Sequence, residues 1–119
     1  MNERGATVVT GEILSEQIAA HAASELPFGP VPEALTELGS MPVPAELARR
    51  IVSLAANALE IEHSSQLTSA TCWHEAGRLL DRRADRPAEA WLCYSRALVV
   101  LPEHRPSTGG LRRLAQRVD

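Results

Sequence analysis

The sequence contains no lysine, so all 12 of its basic residues are arginines. Aromatic residues are also scarce, at 3% of the chain, whereas alanine and leucine are abundant, which favours helices over sheets. No apolar run approaches the length of about eighteen residues that spans a membrane, and the N-terminus lacks the apolar block of a secretory signal. We therefore expect a cytoplasmic protein without membrane contact, whose 119 residues form at most one domain.

Sequence motifs for catalysis and metal binding are equally sparse. The two cysteines, Cys72 and Cys93, lack CxxC spacing and are expected to be free and at least partly buried. His74 and Glu75 begin like the zinc motif H-E-x-x-H, but Arg78 stands where the second histidine is required. The sequence therefore predicts a protein that is not an enzyme and uses no cofactor or metal, and a catalytic or metal-binding role is the least favoured class.

The charge is divided unevenly along the chain. Residues 1–62 carry three arginines and nine acidic residues (net −6), and residues 63–119 carry nine arginines and six acidic residues (net +3), which together give −3. Guanidinium groups bind carboxylates and phosphates through paired hydrogen bonds. The C-terminal half is therefore the better candidate for binding an anionic partner, although surface arginines are most often simply solvated.

The most regular stretch, residues 73–102, predicts two antiparallel helices. The first has Trp73, Ala76, Gly77 and Leu80 on one face, and the second has Ala90, Tyr94, Ala97, Leu98 and Leu101. Asp85 is expected to cap the second helix, Pro87 to occupy its first turn and Pro102 to end it. Gly77 is predicted to lie where the helices cross closely, so leucine there should cost about 2 kcal/mol or more, whereas alanine should be tolerated.

This pattern resembles the tetratricopeptide repeat (TPR), whose signature is W-x2-L-G-x2-Y…A-x3-F…P. The matching positions are Trp73, Ala76, Gly77, Leu80, Ala90, Tyr94, Ala97 and Pro102. Ala76 and Leu80 stand where the signature has leucine and tyrosine, and the turn is one residue longer than usual. The strict match covers about 30 of the 119 residues.

Weaker copies of the pattern flank this stretch. Leu35, Leu38 and Gly39 match an opening helix that the proline-rich residues 41–44 cut short. A second helix is predicted over residues 45–62, and its apolar stripe is Leu47, Ile51, Leu54, Ala55, Ala58 and Ile61. Ser64 or Ser65 is expected to cap the helix that follows. After Pro102, a loop over residues 103–110 should lead into a third opening helix, with Leu111, Leu114, Ala115 and Val118 on its apolar face.

The predicted fold is all-α: an α-solenoid of antiparallel helix pairs with about two and a half TPR-like repeats over residues 32–119. An N-terminal segment, residues 1–31, would hold a capping helix at residues 11–25. Because no second helix follows the last opening helix, we expect part of its apolar face to stay open. Self-association through this C-terminal edge, or further repeats of a longer array, would then cover it.

The resemblance implies a non-catalytic protein-protein interaction or scaffold module that binds an unknown protein or an acidic peptide on its inner helical face. By analogy with the family, the residues that line this face are His74, Arg78, Asp81, Arg82, Arg112 and Gln116. The alternatives are an RNA-binding helical-repeat module and the terminal fragment of a longer TPR array. The arginines permit RNA binding, but the lack of aromatic residues and the negative net charge argue against nucleic acid as the partner.

Overall fold

The computed structural model describes residues 8–9, 29, 31–38 and 42–117, and these form helices and one pair of two-residue strands, joined by turns and short loops. The helices are α1 (Glu33–Thr36), α2 (Ala45–Ile61), α3 (Gln66–Arg82), α4 (Pro87–Val100) and α5 (Arg105–Gln116). Strands β1 (Val8–Val9) and β2 (Val43–Pro44) pair in antiparallel fashion, with Val9 opposite Val43. The predicted capping helix over residues 11–25 lies outside the described residues.

The prolines after α1 act as predicted. Helix α1 is only four residues long, and Pro44, with φ −55° and ψ 141°, holds extended backbone immediately before α2. Helix α2 buries the centre of its predicted stripe, Ile51, Ala55 and Ala58, against the rest of the core. Leu47, Leu54 and Ile61 lie half-buried at the margins of the same stripe. The sequence therefore placed both the helix and its buried face correctly.

Two serines join α2 to α3. Ser65 is the N-cap of α3, and its hydroxyl accepts a hydrogen bond from the Thr68 amide at 3.2 Å. One turn later, the buried Ser69 hydroxyl donates to the Ala58 carbonyl at 2.6 Å. The first bond satisfies an amide that the start of a helix leaves without an intrahelical partner. The second fastens α3 directly to the backbone of α2.

The turn between α3 and α4 differs from the prediction. Pro87 occupies the first turn of α4 as expected, but Arg86 is the N-cap and Asp85 does not cap the helix. Asp85 instead has a left-handed backbone with φ 53°, and its carboxylate accepts a hydrogen bond from Arg117 at 3.3 Å. Aspartate tolerates this conformation better than most residues. The Asp85 carboxylate therefore bonds to Arg117, at the end of α5, and not to the start of α4.

The core is built from the residues of the repeat pattern. Helices α3 and α4 bury Trp73, Ala76, Gly77, Leu80, Ala90, Tyr94 and Ala97 between and beside them. Cys93 is buried and Cys72 is half-buried, and both are free thiols, as predicted. The 3.6-residue period of a helix places these side chains on shared faces, which explains why spacing alone found them.

Helix α5 corrects two expectations. It begins at Arg105, so most of the predicted loop over residues 103–110 is helical, with a proline in the first turn. Leu111 and Leu114 are buried, so the open apolar face is not found at these positions, and Val118 lies outside the described residues. The helix is covered because it contacts both α4 and α3. Ala115 of the same face is half-buried, and self-association through this edge stays a prediction.

Candidate functional site

The ring of Tyr94 lies between two glycines on different helices. A Cβ atom at Gly77 of α3 would come within 2.8 Å of ring atoms Cδ1 and Cε1, and one at Gly110 of α5 within 2.6 Å of Cε2 and Cζ. Such distances are too short for carbon atoms in van der Waals contact. Only glycine at both positions allows the two backbones to approach the ring, and the close fit corrects the expectation that alanine is tolerated at Gly77.

A cavity of about 260 Å³ opens where α3, α4 and α5 meet around this ring. Its lining residues are His74, Arg78, Arg82, Tyr94, Pro106, Gly109, Gly110 and Arg113. Three of them carry guanidinium groups, and no acidic side chain is among the described residues that line it. The cavity therefore concentrates positive charge beside an aromatic ring and a stretch of backbone without side chains.

The structure brings together three of the six residues that the resemblance implied, since His74, Arg78 and Arg82 all line this cavity. Arg112 does not join them, because it lines a separate cavity of about 340 Å³ with Pro102, Glu103, Arg105, Thr108 and Gly109. Gln116 is exposed and lies outside the lining. The sixth, Asp81, lies beneath the cavity as the ion-pair partner of one of its arginines.

Sequence reasoning missed five lining residues, and two of them, Arg113 and Tyr94, bring polar side-chain groups to the cavity; the others are Pro106, Gly109 and Gly110. The guanidinium of Arg113 donates to the Asp81 carboxylate from Nε at 3.3 Å and from Nη2 at 2.7 Å, and Nη2 also lies 3.4 Å from the Tyr94 hydroxyl. One sequence signal could have found Arg113. It follows Gly110 by three residues, and positions three apart share one face of a helix.

The three arginines of the cavity are held to different degrees. Arg113 is anchored by Asp81, whose side chain is only 6% exposed and lies 3.6 Å from Arg117 as well. Arg78 makes two hydrogen bonds to Glu75 at the surface, at 3.0 and 3.2 Å. Arg82 makes no ion pair with any described residue. One guanidinium is therefore positioned in advance, and the other two can reorient toward a ligand.

A hydroxyl connects two histidines at the inner end of the cavity. Ser107 Oγ lies 2.9 Å from His104 Nδ1 and 3.3 Å from His74 Nδ1. Burial lowers the pKa of both imidazoles, and the nearby His104, Arg78 and Arg113 lower that of His74 further, against an opposing effect of Glu75. Both shifts favour the neutral form of the imidazoles. Ser107 is fully buried, so its hydroxyl does not face a substrate.

Comparison of the chain with protein-family models, with curated proteins and with solved structures finds no significant match. None of the described helices is both long and apolar enough to cross a membrane. No cluster of three or more histidine, cysteine, aspartate or glutamate side chains that could hold a metal ion occurs among residues 8–9, 29, 31–38 and 42–117.

Proposed function

We propose that the chain is a non-catalytic protein-interaction module of the TPR type, which binds an acidic segment of a partner protein in the cavity between α3 and α5. The observation that carries this proposal is the convergence of Arg78, Arg82 and Arg113 on one cavity without an acidic lining residue. Clusters of arginines recognise acidic motifs by charge-assisted, often bidentate hydrogen bonds. Carboxylate groups are thus the feature of the partner that the arginines would recognise.

The order and packing of the helices support the assignment of the module to the TPR type. Helices α3 and α4 form the pair that carries the repeat signature, and α5 packs beside it where the next repeat would open. Helix α1 packs mainly against α4 and not against α2, so the support for an α-solenoid comes from the stacking of α2 to α5 alone. The cavity then lies between successive opening helices, on the face that TPR arrays generally present to peptides.

The size of the cavity limits what it can hold. Pockets that enclose small molecules usually measure roughly 300–1,000 Å³, and the cavity here is about 260 Å³. It is large enough for one or two acidic side chains or for a chain-terminal carboxylate. Arg113 can contribute its remaining nitrogen, Nη1, while Asp81 holds the other two, and Arg82 is available in full.

Removing the two mobile arginines should abolish most of the binding. We expect the Arg78→Ala/Arg82→Ala double variant to bind a fluorescent hexa-aspartate peptide at least about tenfold more weakly than wild type, since each lost charged hydrogen bond is worth roughly 1.5–3 kcal/mol. Fluorescence anisotropy at fixed ionic strength measures this. Both side chains project to solvent, so stability should not change.

The matched control is Arg49→Ala/Arg50→Ala, which removes the same charge from exposed positions on α2. This variant should keep wild-type affinity. If both double variants lose the same affinity for hexa-aspartate, net charge alone explains the loss, and the assignment of the binding site to the cavity is wrong. Single-stranded RNA that binds more tightly than the peptide would favour the RNA-binding alternative, although all described aromatic side chains are buried and offer no stacking platform.

A further inference from the structure

His74 lies at the boundary between the cavity and the protein interior. Its Nδ1 atom faces Ser107, at 3.3 Å, and its ring contributes to the cavity wall. Within the described part of the chain, the bond to Ser107 is the only hydrogen bond of this imidazole. One nitrogen therefore anchors the ring, and Nε2 remains to exchange a proton.

The Ser107 hydroxyl determines which nitrogen of His74 is basic. A serine has one proton to donate, so one of the two imidazoles that it contacts accepts this proton and the other donates its own. O–H donors make shorter hydrogen bonds than N–H donors, and in the tautomer in which Ser107 donates across the shorter contact, at 2.9 Å, its proton goes to His104. His74 then donates from Nδ1 at 3.3 Å, and Nε2 carries the free lone pair. A proton added at Nε2 leaves the bridge intact.

The charged groups around His74 oppose its protonation while the cavity is empty. On its own helix it faces Glu75 and Arg78, on α4 the Tyr94 ring, and from the α5 side His104 and Arg113. Arg82 lines the same cavity. Burial and the cations outweigh Glu75 and lower the pKa of His74. A carboxylate that enters the cavity would place negative charge among the same groups, and the surroundings would then favour protonation of His74.

We propose that His74 takes up a proton when a carboxylate enters the cavity, so that the module binds acidic peptides more tightly in mildly acidic than in neutral solution. This inference rests on the proposed function of the cavity and specifies its regulation. The sign follows from linkage, because a group that binds its proton more tightly in the complex strengthens binding as the pH falls through the range where it titrates. Neutral solution is then the weak-binding condition.

The test is the affinity for fluorescent hexa-aspartate at pH 7.5 and at pH 5.5. Aspartate side chains, with an ordinary pKa of about 3.9, stay ionised at both values. We expect wild type to bind about three- to tenfold more tightly at pH 5.5, because a shift of one pKa unit corresponds to a tenfold change in affinity. His74→Gln, which can still hydrogen-bond Ser107, should bind with equal affinity at both pH values. His63→Gln removes an exposed histidine and should retain the wild-type response.

Nuclear magnetic resonance of the wild-type imidazoles provides a second readout that needs no variant. The pKa of His74 should rise when hexa-aspartate is added, while the ring resonances of the exposed His63 should not respond to the peptide. Binding that persists but is equal at both pH values, or a His74 pKa that hexa-aspartate leaves unchanged, would overturn the proton-linked mechanism and leave the proposed function standing. A pH response that survives His74→Gln would also overturn it. Failure to bind hexa-aspartate at either pH would overturn both proposals.

Discussion

Glu89→Ala should destabilise the protein by roughly 1.5–3 kcal/mol, the largest effect we expect from any change to an ion pair in the described residues. The Glu89 carboxylate lies 3.2 Å from the Arg86 guanidinium, and their side chains are only 4% and 11% exposed. Alanine would remove one charged hydrogen-bond partner of Arg86 from a poorly solvated position. It would also remove a negative charge from the first turn of α4, where the helix dipole favours it. Urea denaturation measures the change.

The chain provides a matched control for this prediction. Glu75 and Arg78 form the same type of pair at the same three-residue spacing and a similar distance, 3.0 Å, but their side chains are 36% and 48% exposed. Water already solvates both groups there, so Glu75→Ala should leave the denaturation midpoint unchanged within error. If the two alanine variants lose the same stability, burial does not determine how much the Arg86–Glu89 pair contributes to the free energy of unfolding.

Gly110→Ala should cost about 1–3 kcal/mol, because its Cβ would lie 2.6 Å from the Tyr94 ring and force the two helices apart. The neighbouring Gly109→Ala should instead raise stability by up to about 1 kcal/mol, since no atom lies within 4 Å of its Cβ position and alanine favours a helix. Both positions lie in α5. Thermal denaturation of the two variants should therefore give shifts of opposite sign.

A variant of Tyr94 can test whether contact with its ring causes the cost of Gly110→Ala. In a Tyr94→Leu background, which removes the atoms that the new Cβ would meet, the cost of Gly110→Ala should fall sharply, and a double-mutant cycle would show the coupling. Gly77→Ala should behave like Gly110→Ala, because its Cβ would meet the other edge of the same ring at 2.8 Å. Shifts of the same sign and size at Gly109 and Gly110 would show that the close approach to Tyr94 does not limit stability.

The local pattern of the sequence was enough to predict the helices of the repeat and their buried faces. The spacing of Trp73, Ala76, Leu80, Ala90 and Ala97 predicted their burial, because a helix returns to the same face every three or four residues. Capping and turn chemistry placed Ser65 and Pro87 correctly, since both depend on neighbouring backbone alone. The all-helical class followed from the same local signals.

Tertiary structure decided how α5 is rotated against α3, and with it which residues share the cavity. That rotation depends on Gly110 meeting Tyr94 and on Arg113 pairing with Asp81, contacts between residues 16 and 32 positions apart. No local period contains such contacts, and for this reason the sequence pointed to Arg112 where the structure places Arg113 in the cavity. The same contacts cover Leu111 and Leu114, whose apolar spacing predicted a helix face but not the partner that buries it.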